Sequence, residues 1–166
     1  MEYEPKSLFG GAITATLPKG WTDGSLIREI PDNQEVFTCP QTPRSMIIEL
    51  LEYQAVPDQD ALRVHFEEIT RLNEAANTQL GTTAVFPGSI PMFTLIAQQV
   101  MGRKPHPVQV FMGLIRLPQA QTDIIITVHD PQPVLGAPMP HDSSPGMAIL
   151  KSALQSFTVN DWSLFA

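Results

Sequence analysis

Three apolar runs, Met92–Met101, Val108–Leu117 and Thr122–Val128, follow one another in the second half of the chain with short connections between them. The link between the last two is PQAQ. A connection that short suits an antiparallel hairpin, because a parallel crossover takes about a dozen residues or more. Apolar and polar residues alternate imperfectly within these runs, so some of the strands are expected to be buried on both faces.

Two segments carry a helical period. After Pro57, the run DQDALRVHFEEITRLNEAAN places Leu62, Phe66, Ile69, Leu72 and Ala76 on one face. Asp58 is its expected N-cap, with Glu67, Glu68 and Glu74 turned elsewhere. In SSPGMAILKSALQSF, Ser144 is the expected cap, Pro145 suits the first helical position, and Met147, Leu150, Leu154 and Phe157 form the apolar stripe. Gly146 weakens the first turn only slightly. Further strands are expected at Ala12–Thr16, Glu35–Thr38 and Met46–Tyr53, set apart by Pro and Gly. The order β, β, β, α, β, β, β, α predicts an α+β fold, an antiparallel sheet of about six strands packed with two main helices. No repeat or linker divides residues 1–166, which read as a single domain. The proline-rich segment 130–145 reads as a surface loop.

The composition sets the limits on function. Of 166 residues, 43% are hydrophobic and 16% charged, which suits a compact domain with a real core. No stretch approaches the roughly 18–20 uninterrupted apolar residues of a membrane span, and MEYEPKSLFGG lacks the pattern of a secretion signal. Cys39 is the sole cysteine, so no internal disulfide can form. A reducing compartment, cytosol or nucleus, is the plain reading. The net charge of −7 lies entirely in one half: residues 1–80 carry thirteen acids against six Lys and Arg, and residues 81–166 carry four of each. That balance argues against nucleic acid as the main partner and favours a basic protein surface. A generally acidic protein is the bland alternative.

Little in the sequence points to reaction chemistry. Neither GxxxxGK[ST] nor GxGxxG occurs. Gly10-Gly11 leads into ITAT, which reads as a strand, so the glycines are expected to permit a tight turn. His65 and Glu68 share a helical face, but a two-metal carboxylate site takes several such helices, and Cys39 has no second ligand at metal spacing. His129-Asp130 is the best acid–base pair, yet no nucleophile context accompanies it, and a turn with an Asx-type hydrogen bond is the commoner origin of such a pair. No catalytic residue, metal or cofactor is assigned. A small-ligand-binding or enzymatic domain with a cleft near His129 or the proline-rich loop stays as the alternative.

The segment REIPDNQEVF, 28–37, holds a proline turn between acids. Asp32 and Glu35 stand three apart around Asn33 and Gln34, and spacing alone favours the plain reading, in which Asp32 caps the turn and Glu35 is solvated. Asp23 and Glu29 bring the acids to four within thirteen residues, offset by Arg28. A local negative patch is expected.

LFGGAI at 8–13, LPKGW at 17–21, IREIPDNQEVF at 27–37 and SFTVNDWSLF at 156–165 together resemble the MOG-type Ran-binding nuclear-import factors, also called Ran guanine nucleotide release factors. These motifs lie at both ends, so the likeness spans essentially the whole chain, while 81–145 matches only in its strand pattern. The resemblance implies a PsbP-like sheet of about six antiparallel strands with packed helices. It also implies binding of the small GTPase Ran without enzymatic activity, promotion of nucleotide release, support of nuclear import, and a nuclear location with cytoplasmic shuttling. A PsbP-like assembly subunit is a further alternative, against which the missing transit segment counts. The family's acidic contact residues match Asp32 and Glu35, and Gln34, Asp23 and Glu29 join them as expected contacts; Asn33 stands where the family commonly has threonine. No nucleic acid or membrane partner is implied, and a monomer is the default.

Overall fold

The hairpin expected from PQAQ is in place. Pro118–Ala120 forms a short 3-10 turn, and Gln121 takes a left-handed conformation that returns the chain antiparallel. The computed structural model describes residues 1–72, 75–101, 106–133 and 136–166. In chain order the elements are β1 (Tyr3–Leu8), β2 (Ile13–Pro18), β3 (Thr22–Asp23), β4 (Gln34–Thr38), β5 (Ser45–Glu52), α1 (Asp58–Leu72), β6 (Ala75–Phe86), β7 (Met92–Met101), β8 (Pro107–Leu117), β9 (Thr122–Pro131), α2 (Pro145–Ser156) and β10 (Thr158–Val159). Seven strands form an antiparallel sheet in the order β3-β4-β5-β9-β8-β7-β6. A second antiparallel sheet has the order β1-β2-β10. The α+β class with two helices is therefore the observed one. Of the six strands expected, five lie in the large sheet and Ala12–Thr16 falls on β2 of the small one.

The imperfect alternation of the central strands has the expected cause. Phe111, Ile115 and Leu117 of β8 join Ile124, Ile126 and Val128 of β9 in one core, with β2 and α2 packed on it. The intervening Val110, Met112 and Leu114, with Ile125, face Ala61, Leu62 and Phe66 of α1 in a second core. Both faces are buried, so apolar side chains point both ways. Close approach of α2 depends on Gly146. A Cβ there would lie 2.3 Å from the Phe111 ring, so this glycine is set by packing as well as by its place in the first turn.

Three helix details differ from expectation. Asp58 is the first residue of α1 rather than its cap, and its carboxylate takes a hydrogen bond from Arg116 instead. Helical periodicity runs past the helix itself: α1 ends at Leu72, which is 65% exposed, and Ala76 belongs to β6. Glu74 and the side chain of Ala76 lie outside the described residues. Ser144 occupies the N-cap position of α2, but its Oγ accepts from the His141 N–H at 2.9 Å and caps no helical amide. The segment 130–145 is partly structural: Asp130 and Pro131 extend β9, and Gln98 and Gln109 donate side-chain hydrogen bonds to the carbonyls of Ala137 and Pro138. Val134 and Leu135 lie outside the described residues.

Candidate functional site

The acidic segment is built as a turn clamped to the edge of the large sheet. The Gln34 N–H donates to the Pro31 carbonyl at 3.0 Å, closing the turn that proline prepares by fixing φ. Asn33 holds this turn against the end of β5. Its carbonyl accepts from the Leu50 N–H at 2.9 Å, and its side-chain amide donates to the Leu50 carbonyl at 3.1 Å. Asp32 thus stands exposed on an anchored backbone, and among the described residues no hydrogen-bond donor engages its carboxylate. The capping role that spacing favoured is not what Asp32 performs.

Glu35 has a different environment. It is half-buried on β4, and its Oε1 accepts the Phe9 N–H at 2.8 Å. Phe9 opens the 3-10 turn Phe9–Gly11, in which φ is 51°, 69° and 93° at successive residues. Gly10 and Gly11 adopt such angles readily, whereas an aromatic residue does so at a cost. The Glu35 carboxylate gives the Phe9 amide its partner and so secures this turn, which the glycine pair was expected to permit. Burial pushes the Glu35 carboxyl up, and the nearby Asp23 charge adds to that; the Phe9 hydrogen bond acts in the opposite direction without cancelling the rise.

Asp23, Asp32, Gln34 and Glu35 come together around one concavity of about 260 Å³, with Phe9, Ser25 and Ile30 among the other residues of its wall. Asp23 Oδ1 accepts the Ser25 N–H at 2.9 Å and so caps the 3-10 turn Gly24–Leu26. Gln34 donates its side-chain amide to Glu49 Oε2 at 3.0 Å, across the β4–β5 ladder. Burial raises the Glu49 carboxyl above its ordinary range despite that bond. Glu29 is exposed outside the concavity. Such a site offers a negative surface to a cation.

The other candidates are engaged elsewhere. His65 Nε2 lies 2.8 Å from Asp123 Oδ2 inside the protein, while Glu68 pairs with Arg71 on the surface. They do not converge on a metal, and among the described residues no group of three or more His, Cys, Asp or Glu is placed to hold one. Asp130 is buried and forms an ion pair with Arg44 at 3.1 Å. A concavity of about 470 Å³ opens beside this pair, where the cleft alternative places one at the proline-rich segment: Pro131, Pro133, His141 and Ser144 line it, and His129 does not. Burial pushes the His129 imidazole down to about 4. No helix among the described residues is long and apolar enough to cross a membrane.

Sequence reasoning missed a buried polar network. Arg116 is 1% exposed and Asp123 fully buried; they pair at 3.1 Å across the β8–β9 hairpin. Arg116 also donates to the carbonyls of Gln54 and Val56 and to Asp58, and its guanidinium lies 4.1 Å from the centre of the Tyr53 ring. The Gln54 N–H and His65 complete the shell of Asp123. Burial pushes the Asp123 carboxyl up, but His65, the Gln54 amide and Arg116 together hold it below its ordinary range. The signal was present in the hairpin: extending the PQAQ register outward puts Arg116, the one Arg of β8, opposite Asp123 of β9.

The Ran-interacting Mog1 protein family model matches residues 6–131. A Ran guanine nucleotide release factor of Danio rerio is 36% identical over 168 residues, spanning 92% of this chain and 90% of that protein. The human Ran guanine nucleotide release factor is 34% identical, spanning 95% and 94%. The crystal structure of the Saccharomyces cerevisiae Ran-binding protein Mog1p superposes with a TM-score of 0.85, at 27% identity and over the full length of both chains. With its sequence matched over most of its length and its fold matched throughout, the chain belongs to the Ran-interacting Mog1 family.

Proposed function

We propose that this chain binds the small GTPase Ran and promotes release of its guanine nucleotide, in support of nuclear protein import. The observation that carries the reading is the concavity of Asp23, Asp32, Gln34 and Glu35 at one sheet edge, in a member of a family whose relatives are named for Ran. The whole of 1–166 acts as one binding domain and works as a monomer. It acts without catalysing a reaction of its own, needs no metal or cofactor, and binds neither nucleic acid nor membrane. Its place of work is the nucleus, with passage through the cytoplasm.

The mechanism is thermodynamic linkage. A protein that binds nucleotide-free GTPase more tightly than the loaded form weakens nucleotide binding by the same factor. Asp32 supplies an exposed charge for a Lys or Arg of the GTPase. Glu35, already half-desolvated, loses less hydration on contact than an exposed carboxylate does, so its ion pair forms at lower cost. Asp23 and Glu29 raise the encounter rate through their field, and Gln34 contributes a polar contact.

The test is a binding titration with a folded Asp32→Lys/Glu35→Lys protein. Loss of about 2 kcal/mol or more of affinity for Ran is the expected result. Unchanged affinity removes the acidic concavity from the interface.

A further inference from the structure

The acidic concavity has an apolar neighbour. Leu26 and Ile27 are 80% and 70% exposed, in the turn that begins at Asp23. Isolated surface leucines are ordinary and need no explanation. Here two adjacent large aliphatic side chains are carried on a rigid mount. Asp23 caps the Ser25 amide, and the Gly24 carbonyl accepts from both the Ile27 and Arg28 N–H groups, at 3.0 and 3.1 Å. Gly24 is buried against β4, where an added Cβ would lie 3.1 Å from the Val36 side chain. The turn is therefore seated directly on the strand that carries Glu35, and Asp23 and Ser25 line the concavity itself.

We propose that Leu26 and Ile27 are the apolar anchor of the same interface, inserted into an apolar recess beside the Lys or Arg residues that meet Asp32 and Glu35. The inference rests on the Ran reading above and adds to it the source of affinity and specificity. Exposed acids steer a basic partner and set orientation, but exposed charge pairs contribute little affinity. Interface energy concentrates in side chains that become fully desolvated on binding. Leu26 and Ile27 bring apolar area to the site without needing to be ordered first, because the turn already holds their backbone. The occupant is therefore a basic protein surface. The acids around the pair disfavour a second copy, whose identical charges would be brought face to face.

The experiment compares binding of nucleotide-free Ran by the native protein with that by Leu26→Ser/Ile27→Ser, Asp32→Lys and Val85→Ser. Val85 is also exposed and apolar, but lies on β6 at the opposite edge of the sheet. The serine pair is expected to weaken binding about 30-fold with the salt dependence unchanged. Asp32→Lys is expected to weaken binding and flatten its salt dependence, and Val85→Ser to bind as the native protein does. A serine pair within about twofold of native, while Asp32→Lys loses affinity, overturns the anchor and leaves the Ran reading standing. Native protein that fails to bind Ran overturns both. A concentration-dependent dimer abolished by the serine pair assigns the patch to a second copy and likewise overturns the anchor.

Discussion

Glu35 Oε1 accepts the backbone N–H of Phe9 at 2.8 Å, joining β4 to a left-handed turn 26 residues earlier in the chain. One carboxylate thereby serves both the fold and the acidic concavity.

The two roles separate by substitution. In Glu35→Gln the amide oxygen still accepts the Phe9 N–H, so stability should stay within about 0.5 kcal/mol of native while Ran binding weakens. Glu35→Ala removes the acceptor as well and should cost a further ~1–3 kcal/mol of stability. Chemical denaturation beside a binding titration checks both. Equal stability of the two variants would mean that the Phe9 contact does not hold the turn.

With Glu35 in the proposed interface, its raised carboxyl predicts a pH dependence of Ran binding. Protonation removes the charge, so affinity should fall with decreasing pH, beginning above the ordinary glutamate range of about 4.3. For folding the sign is opposite. A group whose folded pKa is raised favours the folded state most at low pH, and that contribution is lost as pH rises through the folded value. Binding measured from pH 7 to 4.5, native against Glu35→Gln, should show a weaker acid loss in the variant.

Gly146 and Phe111 make a steric prediction. Gly146→Ala should destabilise by about 1–3 kcal/mol, although alanine is the better helix former, because the new methyl meets the aromatic ring. Phe111→Leu in the same protein should recover part of that loss, so the two changes should couple in a double-mutant cycle of thermal melts. A neutral Gly146→Ala would contradict the packing of α2.

The Arg116–Asp123 pair makes an acid-stability prediction. Asp123 titrates below its ordinary value in the folded protein, so its contribution is present above the unfolded value of about 3.9 and is lost as pH falls through the folded one. Asp123→Asn leaves the buried Arg116 with only the partly exposed Asp58 as a counter-charge and takes the carboxylate from His65, and should cost about 3 kcal/mol at neutral pH. Denaturation midpoints from pH 7 down to 2 should converge between native and variant at the acid end.

How far these features were legible in the sequence depends on how local they are. The runs that became β7, β8 and β9 are apolar on both faces, and their short links imposed antiparallel pairing. β6 was hidden for two reasons: most of its described side chains are exposed, and its register shifts between Ala75 and Asn77 and between Leu80 and Thr83 break the two-residue period. β1 escaped because Tyr3–Leu8 includes a proline and buries only Leu8 fully. The turn at Pro31–Gln34 was readable from residue types, as was the density of acids around it. The Phe9 partner of Glu35 was not, because a contact across 26 residues leaves no local pattern. Leu26 and Ile27 were passed over because sequence alone does not say that an aliphatic pair faces water.

The most direct measurement is the rate of guanine nucleotide release from Ran of the same organism, with native protein, with Asp32→Lys, and with none. Release should accelerate with native protein and lose most of that acceleration with Asp32→Lys. Release at the unassisted rate in the presence of native protein, with no complex formed, would contradict the assignment.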